Sequence, residues 1–386
     1  MLEKRSRSLS WLQGVTICML LSIVQLRVQA ESITLSPNAG IGNESISTDR
    51  DPKFIFTVIR FPNDYCGSGT DSGTCYTATE CKLNGGTSVS TCAKGYGTCC
   101  KVVTTQCGGD IRVNNTWVQN PEYPGYFNEA RTCTWNVYFD DSAGSICQIR
   151  YDFAASTLKG PSTTGYCNND QLIFNDDTKS EWFCGVAPDN YHWYVETAGT
   201  TSPHSFTIKT DSSSQDRRYA IRVSTVPCSV GVPTKCGQYY TGLSGTINSY
   251  NYNQNSYYLA GLFYSICFRK EDGYCTYTLE KTSNNQYIDS KDILRLMMGN
   301  GITTPPNPSV PGSSILCPQT STQQSQMYFS SSVCYYPDSM TSVQKRGPYF
   351  VTVNTNLDTT TNFNPLPFVR PNIYSGFEFD WKHNAC

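Results

Sequence analysis

The sequence predicts an all-β protein with two β-sandwich domains behind a small disulfide-rich module. Of its 19 cysteines, all but Cys18 follow residue 30, and they fall into three groups of six. Apolar and polar residues alternate along several segments of the two later groups, which is typical of half-buried strands. Tyr, Phe, Thr and Ser are abundant and only 16% of the residues are charged, a composition that favours strands.

The cysteine groups define the organisation of the chain. An even number in each group indicates three independent disulfide frameworks. The first group is dense and comprises Cys66, Cys75, Cys81, Cys92, Cys99 and Cys100. The other two are similar ladders that each close with a cysteine at the C-terminal edge: Cys107, Cys133, Cys147, Cys167, Cys184 and Cys228, then Cys236, Cys267, Cys275, Cys317, Cys334 and Cys386. Two similar ladders predict two copies of one disulfide-pinned domain.

Residues 1–30 are predicted to be a secretory signal peptide, so the protein is expected to be secreted and extracellular. A basic start precedes an apolar run and a small-residue cleavage site at Val28-Gln29-Ala30. A membrane anchor is the alternative interpretation. However, Gln13 and Thr16 interrupt the run, whereas a spanning helix needs about 20 apolar residues. Paired cysteines also suit an oxidising compartment.

Charge and hydropathy exclude several partner classes. The net charge is −2 without clusters of Lys or Arg, which argues against nucleic acid and anionic membranes. The most apolar stretch after the signal, Tyr257 to Phe268, is too short to span a bilayer, so no stable membrane insertion is expected. Two sequons predict N-glycans, at Asn43 and Asn114, whereas Asn307 is excluded by the proline that follows it.

The segment before the two ladders has two parts. Residues 31–65 form an N-terminal extension, in which Phe54 to Ile59 are expected to add one strand. Residues 66–101 are too few to bury an adequate apolar core and must be held by their bridges. Their cysteine order and the terminal Cys99-Cys100 doublet resemble the clip domain of arthropod secreted proteins. That resemblance implies the pairs Cys66–Cys99, Cys75–Cys92 and Cys81–Cys100.

Residues 107–228 alternate as strands of a two-sheet sandwich. The apolar faces are Ile149, Tyr151 and Phe153; Phe206 and Ile208; and Tyr219, Ile221 and Val223. This region resembles a CUB domain, a jelly-roll β-sandwich. The matching motifs are Cys107-Gly108-Gly109, Pro121-Glu122-Tyr123-Pro124-Gly125-Tyr126, Cys133-Thr134-Trp135, Cys167-Asn168-Asn169-Asp170, Cys184-Gly185 and Thr210-Asp211. The resemblance implies Cys107–Cys133 and Cys167–Cys184, which leaves Cys147 and Cys228 to pair with each other.

Residues 236–386 repeat this plan more loosely and are interpreted as a degenerate CUB-like domain. Tyr349, Val351 and Val353 alternate, and Phe377, Phe379 and Trp381 form the predicted closing strand. By analogy the bridges are Cys236–Cys267, Cys317–Cys334 and Cys275–Cys386. The whole arrangement resembles secreted arthropod proteins that join clip and CUB modules and carry no protease.

No catalytic residue is predicted. Clip and CUB modules both occur beside trypsin-like proteases, but no Gly-Asp-Ser-Gly-Gly run surrounds any serine. The histidines are interpreted as a packed or surface residue on a strand (His192), a turn residue (His204) and a tail residue (His383). After the signal peptide the chain has no Cys-x-x-Cys or His-x-x-x-His spacing, so no zinc site and no cofactor are expected. A vicinal redox role for Cys99-Cys100 is a minor alternative.

Calcium is the one open metal question. Many CUB domains bind Ca²⁺ through a Glu and two Asp, and hard oxygen ligands suit this ion. Asp170 and Asp211 match the two aspartates, but the Glu position falls on Lys159, whose ammonium repels a cation. We call these three residues the degenerate calcium corner and expect no metal there. The second domain has Thr320 and Asn356 at the aspartate positions and is not expected to bind calcium either.

Two interpretations of the corner remain open. Either Asp170 and Asp211 are solvated turn residues, or Lys159 occupies the metal's place and pairs with them. In calcium-binding relatives the corner receives a lysine from the protein partner, so a filled corner blocks that route. Lys159→Glu is then expected to confer calcium binding.

The function predicted from these features is secreted and non-catalytic: binding or adhesion, with the CUB domains recognising a protein or glycan partner. One alternative is an inactive regulatory companion of an extracellular serine-protease cascade, docked through the clip-like module. Another is a structural component of the extracellular matrix, suggested by tyrosine-rich tracts such as Tyr239-Tyr240 and Ser249-Tyr250-Asn251-Tyr252-Asn253.

Overall fold

The computed structural model describes residues 59–140, 145–163, 165–175, 180–197, 202–252, 256–282, 293–297, 326–329, 342–345, 349–355 and 376–386. All of them belong to one compact unit of the chain, Ile59–Cys386. The predicted signal peptide, the extension up to residue 58, Asn43, the expected pair Cys317 and Cys334, and Thr320 and Asn356 lie outside the described residues. In the part that is described, no helix has the length and apolar character needed to cross a membrane.

The clip-like module, residues 66–101 with the adjoining Tyr65, is an antiparallel sheet with the strand order β1-β2-β4-β3. Its strands are β1 (Tyr65–Ser68), β2 (Asp71–Tyr76), β3 (Thr87–Cys92) and β4 (Gly97–Lys101). A six-residue helix, α1 (Ala78–Leu83), connects β2 to β3. The Thr77 hydroxyl accepts from the Glu80 N–H at 3.2 Å and the Glu80 carboxylate accepts from the Thr77 N–H at 2.9 Å, which satisfies two free helix donors. The all-β prediction did not include this helix.

The first sandwich spans residues 103–227 and pairs two five-stranded sheets. Sheet 1 has the order β12-β9-β14-β7-β5, and sheet 2 has the order β11-β10-β13-β8-β6. The strands are β5 (Val103–Thr104), β6 (Gly109–Ile111), β7 (Thr116–Gln119), β8 (Thr132–Val137), β9 (Ile146–Thr157), β10 (Gln171–Asn175), β11 (Ser180–Phe183), β12 (His192–Glu196), β13 (His204–Lys209) and β14 (Arg218–Pro227).

Alternation along these strands places the predicted apolar faces in the core between the sheets. Tyr151 on β9 lies 4.4 Å from Phe174 on β10 and 5.1 Å from Phe206 on β13, measured between ring centroids. Trp135 on β8 lies 6.0 Å from Tyr219 on β14. All five rings are buried, and aromatic pairs at these distances contribute beyond the area they bury. The predicted all-β sandwich is therefore confirmed.

The second sandwich is built from strands of residues 236–385. Sheet 3 has the order β15-β17-β22-β19-β20, and sheet 4 has the order β16-β23-β18-β21. The strands are β15 (Cys236–Tyr240), β16 (Ser244–Asn248), β17 (Phe263–Phe268), β18 (Tyr274–Lys281), β19 (Ile293–Met297), β20 (Gln326–Phe329), β21 (Ser342–Lys345), β22 (Phe350–Asn354) and β23 (Glu378–Ala385). Phe268 of sheet 3 packs on Trp381 of sheet 4, with 5.0 Å between ring centroids. Val351, Val353, Phe377 and Phe379 are buried beside them.

Eight disulfides hold the described residues, and each joins two cysteines that were expected to pair, with Cys147–Cys228 expected by exclusion and the bridges of the last region by analogy. They are Cys66–Cys99, Cys75–Cys92, Cys81–Cys100, Cys107–Cys133, Cys147–Cys228, Cys167–Cys184, Cys236–Cys267 and Cys275–Cys386. Every bridge stays within its own group of six. Each constrains the unfolded chain and contributes about 2–4 kcal/mol to stability.

The clip-like module packs on the outer face of sheet 1. The Trp117 indole N–H donates to the Ser72 carbonyl at 2.9 Å, and the Asn115 amide donates to the Thr74 hydroxyl at 2.8 Å. The Arg222 guanidinium lies 4.2 Å from the centroid of the Tyr65 ring. The hydrogen bonds of Trp117 and Asn115 are buried, so buried polar contacts attach the module to the first sandwich.

The two sandwiches share a continuous core. Tyr250, which follows β16, inserts among Phe153, Phe183 and Tyr191 of the first sandwich, with ring centroids 6.0, 5.1 and 5.1 Å away. Its hydroxyl lies 2.9 Å from the Ser156 hydroxyl. Gly237 sits so close to Trp193 that a Cβ atom there would lie 2.5 Å from the indole. A glycine at position 237 therefore permits this close approach of the two sandwiches.

Candidate functional site

The degenerate calcium corner forms at one end of the first sandwich, where four connections meet. Lys159 follows β9, Asp170 directly precedes β10, Asp211 follows β13, and Arg217 directly precedes β14. The family resemblance pointed to the first three of these residues but not to Arg217. The structure brings all four into one network of charged hydrogen bonds.

Asp170 lies at the centre of this network and is fully buried. Its carboxylate accepts from the Lys159 backbone N–H at 2.7 Å and from the Asp211 backbone N–H at 3.0 Å. The Arg217 side chain, also fully buried, donates from Nε at 2.6 Å and from Nη2 at 3.0 Å to the two oxygens of the same carboxylate. A bidentate arginine with two further donors satisfies a buried carboxylate.

Asp211 is more accessible and is shared between two cations. Its Oδ2 accepts from Lys159 Nζ at 3.0 Å, and its Oδ1 accepts from Arg217 Nη2 and from Ser213. The Ser213 hydroxyl bond, assisted by the Lys159 ammonium, holds the pKa of Asp211 well below its usual range. Burial alone opposes charge on Arg217, but its pairing with Asp170 and Asp211 outweighs this and raises the guanidinium pKa.

This donor set does not fit a calcium ion. Ca²⁺ takes six to eight oxygen ligands at about 2.3–2.6 Å. Both carboxylates already accept hydrogen bonds from cationic side chains, and the buried Arg217 guanidinium lies between them. Within the residues that the structure describes, no group of three or more His, Cys, Asp or Glu is arranged to hold a metal ion.

The three histidines lie on three different strands. His192, on β12, is buried and its Nε2 accepts from the Tyr239 backbone N–H of the second sandwich at 3.0 Å. Burial, with the positive charge of Arg150 nearby, lowers the pKa of His192 to about 4. The predictions for the other two were wrong: His204 begins strand β13 rather than lying in a turn, and His383 is buried on β23 rather than in a tail.

The sequon asparagine Asn114 lies where the clip-like module meets the first sandwich. It is exposed, while its carbonyl accepts from the Thr74 hydroxyl at 3.1 Å and its side-chain oxygen accepts from the Thr225 backbone N–H at 2.9 Å. Exposure is what an N-glycan requires. Glycosylation at Asn114 stays a prediction.

Comparison with known proteins supports the fold of the second sandwich. Residues 233–384 match the family model of the animal CUB domain. This region was expected to be the looser of the two repeats. No curated protein matches the chain.

Three solved structures show a distant likeness. The CUB1-EGF-CUB2 domains of rat MASP-1 are 13% identical, covering 71% of this chain and 99% of that chain, with a TM-score of 0.26. The full extracellular region of zebrafish Gpr126/Adgrg6 is 12% identical, covering 50% of this chain and 22% of that chain, with a TM-score of 0.26. The CUB1-EGF-CUB2 domain of human MASP-1/3 is 12% identical, covering 69% of this chain and 98% of that chain, with a TM-score of 0.24. A likeness of this size decides nothing about function.

Proposed function

We propose that this is a secreted, non-catalytic binding protein that recognises a protein or glycan through its CUB-like sandwiches. CUB domains typically mediate protein–protein interactions in extracellular proteins, and the eight disulfides suit that compartment. The observation that carries the proposal is the outer face of sheet 2, where the Trp182 side chain on edge strand β11 is 46% exposed.

The surroundings of Trp182 suit a binding face. Strand pairing places it in a row across the sheet with Ile173, Thr207 and Thr134, and none of these side chains is charged. The two threonine hydroxyls lie 2.9 Å apart. An exposed indole offers a large rigid contact area, and tryptophan is enriched among the residues that dominate binding energy.

The proposal is tested by replacing this side chain. Affinity capture from native extracellular fluid identifies partners of the wild-type protein, and their affinities are then measured for Trp182→Ala and for Tyr126→Ala. Tyr126 is a matched control because it is an exposed aromatic residue of the same sandwich. We expect Trp182→Ala to weaken binding at least tenfold and Tyr126→Ala to leave it within twofold. Equal binding by both variants would assign recognition to another surface.

A second candidate, an inactive companion of a protease cascade, is favoured by a groove in the clip-like module. Ile59, Tyr65 and Tyr96 line it and are exposed, and the charged residues Arg60, Asp64 and Lys94 line it as well. A groove that combines exposed apolar and charged side chains suits docking of another protein. This candidate predicts a soluble complex with a serine protease that Tyr96→Ala disrupts and Trp182→Ala does not. In either case we expect no peptidase activity and no labelling by a serine-directed covalent inhibitor.

Two tyrosines of the tracts, Tyr240 and Tyr250, argue against the matrix alternative. Dityrosine cross-links need accessible rings, whereas Tyr250 is 1% exposed in the shared core. Tyr240 packs between His192 and Phe268, with ring centroids 4.9 and 6.1 Å away. Packing accounts for these two residues without a cross-linking role, whereas Tyr239 and Tyr252 are half-buried.

A further inference from the structure

The environment of Arg217 resembles that of a bound ion more than that of a surface arginine. Its side chain has no exposure to solvent. Nε and Nη2 reach both aspartates of the corner, and Nη1 donates to three backbone carbonyls, those of Asn128, Ser213 and Gln215, at 3.3, 2.9 and 3.0 Å. All of these hydrogen-bond acceptors are oxygen atoms. They belong to the loops that precede β8, β10 and β14, so the guanidinium holds these three loops together.

The charges of the corner balance without a metal. Asp170 and Asp211 supply two negative charges, and Arg217 and Lys159 supply two positive charges. A buried ion pair is retained where the geometry is bidentate and the remaining polar atoms are satisfied, and Arg217 meets both conditions. A divalent cation added to this set would face two positive groups within hydrogen-bonding distance of its carboxylate ligands.

The two cations play different parts. The Arg217 guanidinium contacts both aspartates from inside the fold, whereas the Lys159 ammonium contacts Asp211 and the Lys159 side chain keeps 32% exposure. Lys159 therefore approaches from the solvent side, the direction from which a partner's side chain would arrive.

We propose that Arg217 takes the position of the calcium ion and that Lys159 takes the position of the partner's lysine, so that the corner is closed by the protein's own side chains and works without metal. This goes beyond the proposed function, which places recognition on sheet 2. It also revises the expectation from the sequence, because removing Lys159 leaves the more deeply buried cation in place. Lys159→Glu alone is then insufficient to create a calcium site.

The test uses calcium chloride on the full chain, with EGTA as the reversal and the melting temperature and equilibrium dialysis as readouts. We expect no calcium-dependent change near 1 mM, the extracellular range, for the wild type or for Lys159→Glu. The double variant Lys159→Glu, Arg217→Gln removes both cations and is expected to gain a rise of about 2 °C or more that EGTA reverses. Adding Asp170→Asn should abolish that gain.

The outcomes separate cleanly. A calcium-dependent rise in the wild type, or in Lys159→Glu alone, would overturn the proposal, because either result places the ion beside an intact Arg217. If the double variant does not fold, the dialysis result for Lys159→Glu decides the matter alone. Lys159 is partly exposed and its loss leaves the buried Arg217–Asp170 pair intact, so that variant is expected to fold.

Discussion

Replacing Tyr250 by alanine tests whether the two sandwiches share one core. Tyr250 belongs to the second six-cysteine region, yet three rings of the first sandwich surround it and its hydroxyl lies 2.9 Å from Ser156 Oγ. Truncation would leave a void between the two sandwiches rather than inside either one. The effect on stability therefore measures the contact between them.

The magnitude follows from what the side chain contacts. Truncating a buried aromatic residue to alanine costs about 3–5 kcal/mol, and losing the hydrogen bond to a buried hydroxyl adds about 1 kcal/mol. Tyr250→Phe keeps the ring contacts and loses only the hydroxyl, so it should cost about 1 kcal/mol. The two variants together separate packing from hydrogen bonding.

The assay is guanidinium-induced unfolding with the disulfides intact, followed by tryptophan fluorescence. We expect one cooperative transition for the wild type and a large loss of unfolding free energy for Tyr250→Ala. Tyr96→Ala is the control, since its ring is 64% exposed and should change stability by no more than about 0.5 kcal/mol. The reasoning fails if Tyr250→Ala is as stable as Tyr96→Ala.

Three further predictions use the same unfolding assay. Arg217→Met leaves Asp170 as a buried, uncompensated charge and should cost about 3–5 kcal/mol; a loss below 1 kcal/mol would contradict the network. Gly237→Ala places a Cβ atom 2.5 Å from the Trp193 ring and should lower the unfolding free energy by about 1–3 kcal/mol. An unchanged unfolding midpoint would mean that the two sandwiches are not tightly packed at this contact. His192 has a folded pKa of about 4 against about 6.5 in the unfolded chain, so the unfolded state binds more protons between these values. Stability should fall by about 3 kcal/mol as the pH drops from 6.5 to 4, and His192→Gln should remove that slope.

The regular parts of the fold were predictable because their signals are local. On β9, Ile149, Tyr151 and Phe153 point to one face because strand side chains alternate. A shift of the strand pairing by one residue would expose that apolar face, so its burial fixes the pairing register. The disulfide pairs were accessible through family resemblance, since spacing alone leaves many connectivities open.

Arg217 could not be identified from the sequence, because nothing local distinguishes it from its neighbour Arg218. Arg217 is fully buried against Asp170, whereas the Arg218 guanidinium lies 4.7 Å from the centroid of the exposed Tyr126 ring. The difference arises only when four connections, distant in sequence, meet at one end of the sandwich. A basic residue placed directly before a strand was the one available signal, and it is not specific.

Tyr250 was missed for the same kind of reason. Its tract of alternating Ser, Tyr and Asn has the composition of an exposed loop. Its burial depends on aromatic rings of the other sandwich. The pattern of residues within the tract contains no information about those rings.

The linker between the sandwiches has a consequence for multivalent ligands. The Gln148 side chain donates to the Val232 carbonyl at 2.9 Å, and the Lys235 N–H donates to the Glu196 carboxylate at 3.2 Å. The linker is thus fastened to the first sandwich along its length, which keeps the two sandwiches at a constant spacing. On a polymer with repeated epitopes, a second weak contact gains from high effective concentration only when the repeat matches that spacing. If the proposed binding function holds, affinity for such a ligand would depend on the spacing of its repeats as well as on its chemistry.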